Sequence, residues 1–103
     1  MGLSKTASFS TEQNRIAELA KALAHPARVA IVQHLLKAES CICGDLVDAL
    51  PLSQSTVSQH LKALKTAGII TGSVETPKVC YCLNTAVLKE FNSAFGEMFS
   101  RCC

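Results

Sequence analysis

At 103 residues the chain is long enough for one domain with a modest core, and short enough that pairing with a second copy commonly supplies missing burial. With 49% hydrophobic and 17% charged residues it is globular rather than disordered, and no apolar run is long enough to cross a bilayer. The net charge of +2 does not by itself call for nucleic acid, but it is unevenly placed: between Ser53 and Lys78, three lysines (Lys62, Lys65, Lys78) accompany a single acid, Glu75.

In chain order, residues 1–9 form a flexible arm with no apolar core or cleavage pattern, so a cytoplasmic location is expected. Ser10 and Gln13 make a capping box, and Ile16, Leu19, Ala20 and Leu23 follow at helical spacing. Pro26 suits the first turn of a second helix ending near Lys37, with Val29, Val32, Leu35 and Leu36 as its apolar stripe. Residues 44–50 read as a short third helix after Cys41-Ile42-Cys43, and Pro51-Leu52 as a tight turn. Ser53 caps a fourth helix that stops at Gly68, with Val57, Leu61 and Leu64 facing inward. The period then becomes strand-like: Ile69-Ile70, turn residues 72–77, and a return strand over 78–83 form a β-hairpin. A last helix begins at Asn84 or Thr85 and carries Leu88, Phe91, Phe95 and Met98 as a continuous seam.

Two short helices joined by a tight turn and followed by a hairpin are the order of a winged helix-turn-helix, giving a mainly α single domain over 1–103 with a β-hairpin wing. Small polar side chains can read base edges while lysines neutralise phosphates. Gln54, Ser55, Thr56, Ser58, Gln59 and His60 are therefore expected at the major groove of double-stranded DNA, and Lys62, Lys65 and the hairpin tip with Lys78 on phosphate or the minor groove. The competing reading of this helix is a solvated amphipathic face in a bundle.

The strings Leu23-Ala24-His25-Pro26-Ala27-Arg28 and Leu52-Ser53-Gln54-Ser55-Thr56-Val57-Ser58-Gln59-His60-Leu61-Lys62-Ala63-Leu64, with Gly68-Ile69-Ile70 and the hairpin after them, closely resemble the ArsR/SmtB family of bacterial metal-responsive repressors. The resemblance runs from about Thr11 to Phe99. It implies a homodimer joined by the first and last helices that represses an operator until an inducer binds, and no enzymatic activity. In its light His25 is a helix-start residue and His34 a surface or boundary residue rather than a ligand.

Six cysteines in a chain without an export signal favour metal or redox chemistry over a disulfide framework. The segment Glu39-Ser40-Cys41-Ile42-Cys43-Gly44-Asp45-Leu46 resembles the family's arsenite and antimonite motif, departing from it by the extra Gly44 and by Leu46 or Val47 where a third cysteine is expected. The last helix lacks the histidines of the family's zinc, cobalt and nickel branch. A trivalent metalloid calls for three soft thiolates. The segment before the third helix commonly pairs with the returning wing strand, which would set Cys41 and Cys43 beside Cys80 and Cys82. Cys102 and Cys103 are the alternative ligands. Arsenite or antimonite is the favoured inducer, cadmium and zinc are alternatives, and no cofactor is needed for DNA binding. Buried packing cysteines, a structural zinc site of four cysteines, thiol redox or persulfide sensing, and a small thiol reductase remain as other readings.

Overall fold

The computed structural model describes residues 8–38, 41–43, 51–73 and 80–100. Within them the order is α1 (Thr11–Ala22), α2 (Pro26–Lys37), β1 (Cys41–Cys43), α3 (Gln54–Thr66), β2 (Ile70–Ser73), β3 (Cys80–Leu83) and α4 (Thr85–Phe99). The expected helix over 44–50, the hairpin tip with Lys78, and Cys102 and Cys103 lie outside the described residues. No described helix is long and apolar enough to cross a membrane.

Each helix begins where a side chain can satisfy its orphan amides. Ser10 and Gln13 exchange both bonds of the capping box at 3.0 Å each. His25 caps α2 through Nδ1, which accepts from the Ala27 amide at 3.0 Å, with Pro26 in the first turn. Ser53 caps α3 and Asn84 caps α4. α3 ends in a Schellman arrangement: the Gly68 amide donates to the Lys65 carbonyl and the Ile69 amide to the Leu64 carbonyl. Gly68 holds φ +85, a conformation that glycine tolerates at little cost.

One core unites these elements. Leu19, Ile31, Leu35, Val57, Leu61, Leu64, Ile69, Ile70, Tyr81 and Phe91 are its buried members, drawn from every helix and from the hairpin. Each aliphatic side chain of this size contributes about 1.5–3 kcal/mol by leaving water. The stripe of α2 differs from the expected one. Ala27, Ile31 and Leu35 are buried at four-residue spacing, whereas Val29 (40% exposed) and Leu36 (58%) look outward. Val29 stands two residues, about 200°, round the helix from both Ala27 and Ile31, so it cannot share their face.

The sheet order is β1-β3-β2, all antiparallel. Alternation divides it cleanly. Ile70, Tyr81 and Leu83 are buried on one face with Ile42 packed against them, and the cysteines occupy the other. Gly72 sits opposite Tyr81 at φ +111, and a Cβ there would come within 2.4 Å of the Cys80 carbonyl oxygen. The strand is thus glycine-dependent at that point, because no side chain fits between the two backbones.

Candidate nucleic-acid interface and thiol face

The outer surface of α3 is polar and accessible. Gln54, Ser55, Gln59, Lys62 and Lys65 are exposed, and Ser55, Gln59 and Lys62 follow one another at four- and three-residue spacing along one face. Thr56 and Ser58 are half-buried. The Thr56 hydroxyl lies 2.9 Å from the Ser53 hydroxyl, so it is engaged in the helix cap.

His60 is a correction to the expected groove-facing set. It is only 8% exposed and turns inward, where its Nδ1 accepts a hydrogen bond from Arg28 Nε at 3.1 Å. Its ring lies 4.4 Å, centroid to centroid, from that of His25. Arg28 also donates from Nη1 to the carbonyl of Ala22, the last residue of α1. One guanidinium therefore ties the end of α1 to the middle of α3. Successive residues of a helix point in different directions, and Gln59 outward with His60 inward follows from that 100° step. Nothing in a lone sequence distinguished His60 from Gln59 by residue type, but its place between Val57 and Leu61 on the apolar side was a usable signal.

Burial lowers the His60 pKa below its ordinary 6.5, and the neighbouring His25 ring and Arg28 guanidinium lower it further. Folding then excludes a proton that the unfolded chain accepts near pH 6.5, so the stabilising effect is complete above that pH and is lost progressively as the pH falls below it. Thermal unfolding followed from neutral to mildly acidic pH should show a falling midpoint, and His60→Gln, which keeps an acceptor for Arg28, should flatten that slope. Equal slopes in both proteins would show that His60 is not the group responsible.

Arg15 is a second organising cation that the sequence reading did not single out. It bridges Glu18 within α1 and Glu90 on α4, and it reaches the carbonyl of Ala67 at the end of α3. A cation there complements the negative end of that helix.

The cysteines of β1 and β3 meet across the sheet. Cys41 stands opposite Cys82 and Cys43 opposite Cys80, with Ile42 opposite Tyr81 between them. All four sulfurs share the face turned away from the core. Cys41, Cys43 and Cys80 are exposed and Cys82 is half-buried. The expectation of unpaired thiols is corrected here: the structure joins Cys41 to Cys82 and Cys43 to Cys80 as disulfides, with Cα atoms 4.0 Å apart in each pair. The physical cause is register, since directly opposed residues bring their Cβ atoms within reach of an S–S bond. With the sulfurs so joined, no group of three or more His, Cys, Asp or Glu side chains among the described residues is arranged to hold a metal ion. The reduced form of the same register would offer four soft ligands on one surface.

The described elements are those of a mainly α winged helix-turn-helix, with β2 and β3 as the wing. Residues 25–71 match the family model described as "Bacterial regulatory protein, arsR family". The HTH-type transcriptional repressor SmtB of Mycobacterium tuberculosis is 50% identical over 66 residues, covering 64% of this chain and 48% of that protein. The chain thus spans about half the length of this relative. The Biofilm growth-associated repressor of Xylella fastidiosa is 30% identical over 86 residues, 84% of this chain and 75% of the relative. The HTH-type transcriptional regulator CmtR of Mycobacterium bovis is 35% identical over 86 residues, again 84% of this chain and 70% of the relative. With identity and coverage at that level, set on the helix-turn-helix and wing described above, the chain belongs to the ArsR family of bacterial regulatory proteins.

Proposed function

We propose that the chain is a cytoplasmic, homodimeric transcriptional repressor that holds double-stranded operator DNA through α3 and lets go when its wing thiolates bind a soft ion. The observation that carries this reading is the register of β1 and β3, which gathers Cys41, Cys43, Cys80 and Cys82 on one open face. Thiolates select soft, thiophilic ions, and three of them satisfy a trivalent metalloid. Arsenite or antimonite is accordingly the favoured inducer, ahead of cadmium and zinc, for which a tetrahedral site of four thiolates is the fitting arrangement.

Gln54, Ser55 and Gln59 supply exposed groups able to read base edges, and Lys62 and Lys65 supply phosphate contacts. Thr56, Ser58 and, from the wing, Lys78 complete the proposed DNA-binding set. Release is a coupling free energy of about 1–3 kcal/mol between the thiol face and the DNA-reading helix. β3 is a suitable conduit: it pairs with β1 on one side and, through Leu83 opposite Ile70, with the strand that leaves α3 on the other. The proposed contact between copies is α1 with α4, a reading supported by the groove that Ile16 and Ala94 line and by the exposed Phe9, Met98 and Phe99.

Titrating the protein–DNA complex with arsenite, antimonite, cadmium and zinc under reducing conditions tests the assignment. Cys41→Ser and Cys43→Ser should leave DNA binding intact and abolish release by arsenite, while Cys80→Ser and Cys82→Ser should weaken it. Removing Cys102 and Cys103 together should matter little. Loss of the response in that truncation, with the Cys80 and Cys82 variants unaffected, would move the third ligand to the C-terminus.

A further inference from the structure

The four cysteines are arranged for a second chemistry besides ligation. Each disulfide links residues that the strand register already sets directly opposite, Cys41 with Cys82 and Cys43 with Cys80. On the reverse face Tyr81 is buried and Ile42 packs against the core, which fixes the register independently of the sulfurs. β1 is an edge strand and three of the four cysteines are exposed, so a small oxidant has access to them.

We propose that this face is a redox-gated ligand site, in which hydrogen peroxide converts the reduced tetrathiol that takes a soft ion into two cross-strand disulfides that do not. The inference rests on the soft-ion reading of the same residues for its ligand and on the register for its chemistry. In each pair a thiolate sulfur attacks one peroxide oxygen; the O–O bond breaks, the departing oxygen leaves as water, and the sulfur becomes a sulfenic acid. The facing thiol then attacks that sulfur, the S–S bond forms, the S–O bond breaks and a second water leaves. Two thiols are thus oxidised by two electrons while one peroxide is reduced to two waters. The lone pairs that would bind the ion now belong to disulfide sulfurs, which are poor ligands beside thiolates.

The test begins with the reduced full chain, titrated with hydrogen peroxide and analysed by mass spectrometry without reduction. The expected result is consumption of two equivalents, loss of four hydrogens and full reversal by a phosphine reductant. The Cys41→Ser/Cys82→Ser variant, which keeps an opposed pair, should close its one disulfide readily; Cys41→Ser/Cys80→Ser, which keeps the diagonal pair Cys43 and Cys82, should not. Sulfinic acids, bonds between chains, bonds to Cys102 or Cys103, or equal closure of the diagonal pair would overturn the proposal. Equilibrium dialysis against arsenite then compares the two states, with affinity in the oxidised protein expected to fall by about tenfold or more. Retention of arsenite by both states overturns the gate and leaves the soft-ion reading intact. Retention by neither, with both disulfides formed as expected, overturns the soft-ion reading and the gate with it.

Discussion

Raising the salt from about 50 to 200 mM is expected to weaken binding to duplex DNA by about 10³- to 10⁵-fold, the response of a dimer that neutralises roughly 6–10 phosphates. The expectation follows from where the cations stand. Lys62 and Lys65 are exposed along α3, and Lys78, outside the described residues, is the third lysine proposed to touch DNA, so the two protomers of the proposed dimer would bring enough lysines for the lower end of that range. Lys62→Ala should weaken all sequences alike and reduce the log-log slope by about one for each lysine lost, two for the dimer. Gln59→Ala should instead relax base preference with the slope unchanged, because an exposed amide on the same face carries no charge to release counterions. Fluorescence anisotropy across a salt series reads both quantities. A flat salt response would remove DNA as the partner of this surface.

The second large effect concerns α4, where the residue pattern sets Leu88, Phe91, Phe95 and Met98 in one seam. The structure divides that seam between two duties. Phe91 is 8% exposed inside the chain's own core and Leu88 packs beside it, whereas Met98 and Phe99 are at least half exposed. Phe95 stands between, with its ring centroid 4.4 Å from that of Phe91 and 5.8 Å from that of Phe99. Phe99→Asp is therefore expected to leave a folded monomer, since it places a charge in the proposed contact between copies and nowhere in the core. Phe91→Asp should unfold the protomer itself, because a buried unpaired carboxylate adds to the loss of a core ring, for which truncation alone costs about 3–5 kcal/mol. Sedimentation together with thermal melting separates the two outcomes. A Phe99→Asp protein that still sedimented as a dimer would place the contact elsewhere.

Much of this architecture was legible in the residues because the signals were local. A capping serine, a proline in the first turn and a stop glycine act within four residues of themselves, and each helix boundary they mark is found close to its expected place. The cross-strand meeting of the cysteine pairs was also legible, since alternation along β1 and β3 depends only on parity. What escaped was whatever depended on two distant segments at once. Arg28 meets His60 across 32 residues and Arg15 meets Glu90 across 75, and no periodicity within either segment encodes such a partner. Val29 and Leu36 were misplaced for a related reason: hydrophobic type alone does not say which of several apolar rows on a short helix faces the core. The joining of the thiols in pairs was missed because cellular compartment, rather than the strand register already anticipated, guided the expectation.

The position of β1 in the sheet also sets an order of assembly. Among the described residues this three-residue strand pairs only with β3, and its partners lie 37 to 41 residues further along the chain, whereas only residues 74–79 separate β2 from β3 in sequence. The wing can close early and cheaply; β1 must wait until the chain from α3 to β3 has folded. By the same reasoning it is the first piece to peel away, so its amides should exchange with solvent fastest among the sheet residues in the reduced protein. Whatever fastens β1 to β3, sulfur bond or shared ion, therefore acts on the least protected rung of the ladder, where a small free energy moves the largest fraction of molecules.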